Sequence, residues 1–225
     1  MAKLQVIDDS NRSAHHYLST GDECYFLHEY TAREGALHSP ENQFIFNFKK
    51  PTLRRERVDY PYKAQAIAEA IAIFRELFDT EPHLYEQCTF VPIPPSKPPG
   101  HEEYDDRMWQ LVQGLCQGKN ADARELILQT EAYAAAHLQG SSPDRIKPPQ
   151  LRDIYRLNGL PPKAKILFFD DVLSAGTHFT AAKSKIQAAY PETTVIGFFQ
   201  ARRVFPAASV MASAALKTGN STPSI

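Results

Sequence analysis

Three short apolar runs stand out against a chain patterned elsewhere at helical spacing. Lys165-Ile-Leu-Phe-Phe-Asp-Asp171 is continuous and ends in two acids, Thr194-Val-Ile-Gly-Phe-Phe199 is a second run, and Cys88-Thr-Phe-Val-Pro-Ile93 is a third. Unbroken apolar runs of this length suit strands covered on both faces, as in a parallel sheet. Between the first two, Phe179, Ala182, Ile186, Ala189 and Tyr190 mark a helix, so a β-α-β unit of about 35 residues is expected there. The Cys88 run ends in Pro92, Pro94, Pro95, Pro98 and Pro99, and proline cannot donate to a strand ladder, so the strand must stop.

A helix is expected from Pro61, carrying Ala64, Ile67, Ala68, Ile71, Phe74, Leu77 and Phe78 on one side. A second is expected from about Glu102 to Gln117, with Met108, Leu111, Val112, Leu115 and Cys116 on one face. Glu125 to Thr130 reads as a strand or a helix end, and Ser141 to Pro149 as a loop. Residues 1–20 are polar and weakly patterned. The segments Cys24–Tyr30 and Phe44–Phe48 are aromatic and β-branched, with a turn-prone stretch between them, which suggests a β-hairpin or two adjacent strands. The expected organisation is an N-terminal β extension over 1–60, an α/β domain over 61–206 and a frayed tail over 207–225.

The 225 residues are 43% hydrophobic and 23% charged, which excludes a disordered chain. Lys+Arg is 25 and Asp+Glu is 26, so neither a nucleic-acid coat nor a polybasic membrane binder is expected. The basic stretch Lys49 to Arg57 is compatible with nucleic-acid or phosphate binding, but reads first as a solvated connector. No apolar run approaches the ~20 residues of a membrane span. Cys24, Cys88 and Cys116 form no Cys-x-x-Cys pair, and their odd number, with no apolar N-terminal segment, suggests a reducing cytoplasm. Gly114 to Asn120 imitates a P-loop but is one residue short and lacks the metal-binding hydroxyl. His101 to Asp105 lacks the second histidine of a zinc-protease helix, and His15-His16 reads as a surface pair.

One string carries chemistry: Phe168-Phe-Asp170-Asp171-Val-Leu-Ser174-Ala-Gly176-Thr177-His178. A buried strand delivers two carboxylates to its carboxyl end, where open α/β sheets bind ligands. The small-residue loop Ser174, Ala175, Gly176, Thr177 and His178 then opens a helix, whose N-terminal amides and dipole favour an anion. Carboxylates repel that anion but suit hydroxyls, or a metal bridging to further phosphates. A ribose 5-phosphate has both features.

The string resembles the phosphoribosyl-pyrophosphate (PRPP) signature of the type I phosphoribosyltransferases. Phe90-Val-Pro-Ile-Pro-Pro-Ser96-Lys97 is similar to the strand and pyrophosphate loop of that family's competence-type members, and Arg145 to Gln150, with Arg156 and Asn158, to the basic stretch ahead of their signature. The resemblance spans about residues 86–203 and implies a doubly wound sheet with a parallel core. It implies PRPP and Mg²⁺ as ligands and transfer of the phosphoribosyl group to a small nitrogenous, nucleobase-like acceptor. Residues 174–178 would hold the 5′-phosphate. Ser96, Lys97, Arg145 and Lys147 would meet the pyrophosphate, with Lys97 also catalytic. Asp170 and Asp171 would be catalytic, holding the ribose hydroxyls and meeting the metal directly or indirectly. The N-terminal extension would offer a surface for a second copy or a protein partner. Three departures from the family pattern are Ala175 in place of a hydroxyl, His178 in place of threonine, and Tyr104-Asp-Asp-Arg107-Met in place of the Arg-Gly-Phe-Asn string. They motivate a rival reading, a PRPP or nucleotide sensor without turnover in a regulatory or defence system.

Overall fold

The computed structural model describes residues 3–133 and 146–206. Its centre is a six-stranded sheet in the order β1 (Gln5–Val6), β2 (Glu23–Thr31), β8 (Thr194–Val204), β7 (Lys165–Leu173), β3 (Cys88–Pro92) and β4 (Asp122–Ala123). Only β1 is antiparallel to its neighbour. A small antiparallel ribbon pairs β5 (Ile127–Gln129) with β6 (Tyr155–Leu157). One face is covered by α1 (Pro40–Phe48), α2 (Pro61–Phe78) and α4 (Arg107–Cys116), with the short α3 (His83–Gln87) just before β3. The other carries α5 (Pro148–Asp153), α6 (Thr177–Ala189) and the ribbon. The chain is thus an α/β protein with a mostly parallel sheet between helices, compatible with double winding. Among the described residues no helix is long and apolar enough to cross a membrane.

Strand alternation sorts the core. In β7, Ile166 and Phe168 pack towards α6, while Leu167 and Phe169 pack towards α2 and α4. On the second face a row of rings crosses four strands and ends on α3: Tyr25, Phe198, Phe169, Phe90 and Tyr85 stack successively at 5.4, 5.5, 5.9 and 5.5 Å between centroids. Offset stacks of this kind add about 0.5–1.5 kcal/mol each beyond simple burial.

The β-α-β unit, the Pro61 helix and the Cys88 strand form where expected. Other expectations are corrected. Phe44–Phe48 is no strand but the end of α1, because Ser39 caps the helix by accepting from the Asn42 N–H and Pro40 starts it. Its buried residues, Asn42, Ile45 and Phe48, recur at helical spacing. No hairpin joins it to β2, which instead lies parallel to β8 from Glu23↔Ile196 to Thr31↔Val204. The N-terminal residues therefore belong to the same sheet as the rest. The helix expected from Glu102 begins at Arg107, after turns in which Tyr104 donates to the His101 carbonyl. Part of the expected 141–149 loop is the start of α5, and the Glu125–Thr130 alternative resolves as strand β5. The tail after residue 206 lies outside the described residues.

Candidate functional site

The winding direction locates the site. From β3 the chain passes through α4 to β4 on one side, and from β7 it passes through α6 to β8 on the other. The two crossovers also cover opposite faces. The reversal falls between β3 and β7, and ligands of doubly wound sheets bind outside the carboxyl ends at that point. The β3 end continues into Pro94–Lys97, whereas β7 runs on along β8 to Leu173, so Asp170 and Asp171 lie inside the strand just past its pairing with β3, and the strand end continues into Ser174–His178. Ile93 donates to the Phe169 carbonyl at 2.9 Å, which holds the two ends side by side.

Adjacent residues on β7 send one carboxylate to each face, and the two meet different surroundings. The Asp171 side chain is only 6% exposed. Its Oδ1 accepts from Lys49 Nζ at 2.7 Å and from the Val172 N–H at 2.6 Å, and its Oδ2 accepts from both Arg107 Nε, at 3.1 Å, and Arg107 Nη2. Arg107 continues to Asp105, which also takes Lys63 Nζ at 2.6 Å, and Lys63 donates to the Lys50 carbonyl at 2.7 Å. Despite burial, the Lys49 and Arg107 charges hold the Asp171 carboxyl well below its usual range. Lys49 and Lys50 are thus not solvated connector residues: Lys50 is buried and bonded to Asp59 at 2.9 Å, while Arg54, Arg55 and Arg57 are exposed.

Asp170 looks the other way. Its Oδ1 accepts from the Asp171 N–H at 2.8 Å, and its Oδ2 stands 3.8 Å from His178 Nδ1. Burial, followed by the neighbouring Asp171 charge, pushes its carboxyl up to about 7. Burial lowers the His178 imidazole to about 4. Tyr133, whose hydroxyl burial keeps protonated, lies 2.9 Å from His178 Nε2. The hydroxyl and Nε2 share a hydrogen bond, and the other ring nitrogen, Nδ1, is the one that faces Asp170. Tyr133 also donates its backbone N–H to the Ser96 carbonyl at 3.2 Å. It ties the β3 loop to the β7 loop.

Beyond the acids, Gly176 caps α6 with φ +90°, a left-handed conformation that favours glycine. The Gly176, Thr177 and His178 amides belong to the first turn of α6, where helix geometry offers no intrahelical acceptor. The Ser174 carbonyl instead accepts from His15 Nδ1, and the Ala175 carbonyl from the Tyr17 N–H at 2.9 Å. His15 is fully buried, so the expected surface pair is half wrong: only His16 is exposed.

The structure brings together Ser96, Asp170 and residues 174–178. Lys97 lies on the same loop, but its ammonium faces Glu103 at 3.3 Å and not either aspartate. Lys147 is exposed at the start of α5, donating its backbone N–H to Gln150 at 2.9 Å, and makes no contact with the acids among the described residues. Arg145 lies outside the described residues. The acid pair does not present itself as a direct magnesium site: protein cations occupy Asp171, burial favours neutral Asp170, and among the described residues no three His, Cys, Asp or Glu side chains converge for a metal. Sequence reasoning missed His15, Lys49, Arg107 and Tyr133. Three left a trace without a role: Lys49 in the basic stretch, His15 in the histidine pair, and Arg107 as a cation after the acids of the Tyr104–Met108 departure.

A scan against protein-family models found no match, and a search of curated proteins found none either.

Proposed function

We propose that this crevice binds PRPP and that the chain transfers its phosphoribosyl group to a nitrogen acceptor on a phosphoribosyltransferase-like sheet. One observation carries the reading: the Ser96-Lys97 loop and the Asp170–His178 segment, read separately as pyrophosphate and ribose-phosphate elements, meet at the switch point of the sheet. The α6 amides would take the 5′-phosphate, and Asp170 Oδ2 a ribose hydroxyl. Any magnesium that accompanies PRPP would supply charge neutralisation, and Asp171, committed to Lys49 and Arg107, would not hold it directly. In the reaction the bond from the sugar carbon to pyrophosphate breaks, and its electron pair leaves with pyrophosphate. The acceptor nitrogen forms the new bond and loses a proton to Asp170, whose affinity near neutrality suits a general base. Lys97 would steady the departing charge.

A second reading, binding without turnover, is favoured by Asp171, whose oxygens are already committed to Lys49 and Arg107. One pair of measurements separates the two: calorimetry with PRPP and Mg²⁺, and pyrophosphate release with a panel of bases. Transfer predicts binding with release for at least one base, and a Lys97→Ala chain that loses rate more than affinity. Binding without release for any base leaves the sensor, and no binding of PRPP or any nucleotide removes both.

A further inference from the structure

We propose that residues 15–18 set the shape of the 174–178 turn, with His15 as the positioning residue for its anion-facing amides; the ligand part of this inference rests on the function proposed above. His15 is fully buried 159 residues away in sequence from the loop it touches. A carbonyl oxygen can only accept, so the imidazole proton is on Nδ1, pointing at Ser174, and Nε2 is left buried with no partner among the described residues. One residue on, the Ala175 carbonyl is drawn to the Tyr17 N–H. Peptide planes are rigid, and the N–H of each unit points opposite its C=O. Turning the Ser174 and Ala175 carbonyls towards the 15–17 segment therefore turns the Ala175 and Gly176 amides away from it. They then join the uncapped amides of the α6 first turn.

Leu18 closes the device. A Cβ on Gly176 would lie 2.9 Å from Leu18 Cδ2 and 3.4 Å from the Leu18 backbone nitrogen, so the segment presses on the left-handed residue itself. The segment is in turn fastened to α6. Thr180 Oγ1 donates to the Tyr17 carbonyl at 3.1 Å, and Lys183 Nζ meets Asp22 at 2.5 Å while Asp22 accepts from the Ser19 N–H at 2.6 Å. Bracing, turn and helix thus form one closed loop of contacts, built from a stretch with no hydrophobic pattern.

The test compares His15→Ala, His15→Asn and Thr180→Val in the full chain. An asparagine amide can place an N–H near the Nδ1 position, whereas alanine cannot. Calorimetry with PRPP and with inorganic phosphate reads affinity, and hydrogen exchange reads the Tyr17 amide against Leu167 and Phe169 in β7. The expected result for His15→Ala is about tenfold weaker PRPP binding and faster exchange at Tyr17, with β7 protection unchanged. His15→Asn restores both, and Thr180→Val shifts both in the same direction by less, serving as the decisive variant should His15→Ala not fold. Wild-type affinity and Tyr17 protection in His15→Ala would overturn the inference. So would an asparagine as weak as alanine, or loss of protection throughout β7, which would make His15 a core residue only. If the wild type binds neither PRPP nor phosphate, the proposed function fails, while Tyr17 exchange still decides whether the segment holds the turn.

Discussion

Asp170 and Asp171 are chemically identical neighbours with opposite assignments, and single substitutions should separate them. Asp171→Asn leaves the half-buried Lys49 and Arg107 against a neutral amide, with Arg107 still paired to Asp105. Removing one partner of a fully buried pair costs about 3–5 kcal/mol; with Asp105 still on Arg107 and Lys49 able to reach water the cost falls below that range, and a clear drop in the urea midpoint is expected. Asp170→Asn should leave the fold intact, be no less stable than the wild type at neutral pH, and abolish PRPP binding, measured by calorimetry. The pH dependence follows from the same geometry. The Asp170 carboxyl, raised to about 7, favours the native state while protonated, so its contribution is lost as pH rises from about 4 to about 7. His178, lowered to about 4, is neutral when folded, and its contribution is lost as pH falls from about 6.5 to about 4. The two slopes oppose one another over most of that range. Asp170→Asn should therefore expose a stability that rises with pH between about 4 and 6.5, and His178→Gln one that falls between about 4 and 7. Urea titrations at several pH values would check both; two parallel, flat profiles would refute the assignment.

Among the elements, those set by periodicity were legible and those set by caps and contacts were not. The buried strands β3, β7 and β8 and the helices α2 and α6 declare themselves through apolar runs and helical spacing. In α1, aromatic composition suggested a strand, yet the Ser39-Pro40 start and the fully buried Asn42, bonded to Thr31 N–H at 2.9 Å and to the Thr31 carbonyl at 3.0 Å, make it a helix locked to β2. The false P-loop is explained at this scale too: Gly114 lies inside α4, where a Cβ would come within 2.4 Å of Ile71 Cδ1 on α2. Its role is helix approach. Gly114→Ala should therefore destabilise by about 1–3 kcal/mol through overpacking, despite the roughly 1 kcal/mol gain in helix propensity. Adding Ile71→Val, which deletes Cδ1 but leaves Cγ1 at 2.9 Å, should recover part of the loss in a denaturant-unfolding cycle, and a stabilising Gly114→Ala would contradict the close approach.

At the scale of the whole molecule, the two chemistry-bearing strings could be read from sequence because each is local, a strand end with its loop. The braces around them could not, because Lys49, Arg107, Tyr133 and His15 reach the site only through the fold and carry no spacing signal relative to it. The same physics decides whether the first 60 residues form an appended unit. They supply β2, whose Cys24, Phe26 and Leu27 are buried, and Lys49, which neutralises Asp171. They also supply the Lys50 carbonyl that receives buried Lys63, and the brace at His15. A chain of residues 61–206 would expose the long edge of β8, an invitation to strand pairing between copies. It would also lose one of the two cations that neutralise Asp171. Such a truncated chain is expected to lack a cooperative thermal transition and to elute as aggregates in size-exclusion chromatography. A monomer that melts cooperatively near the full-length temperature would show instead that the sheet is complete without β2.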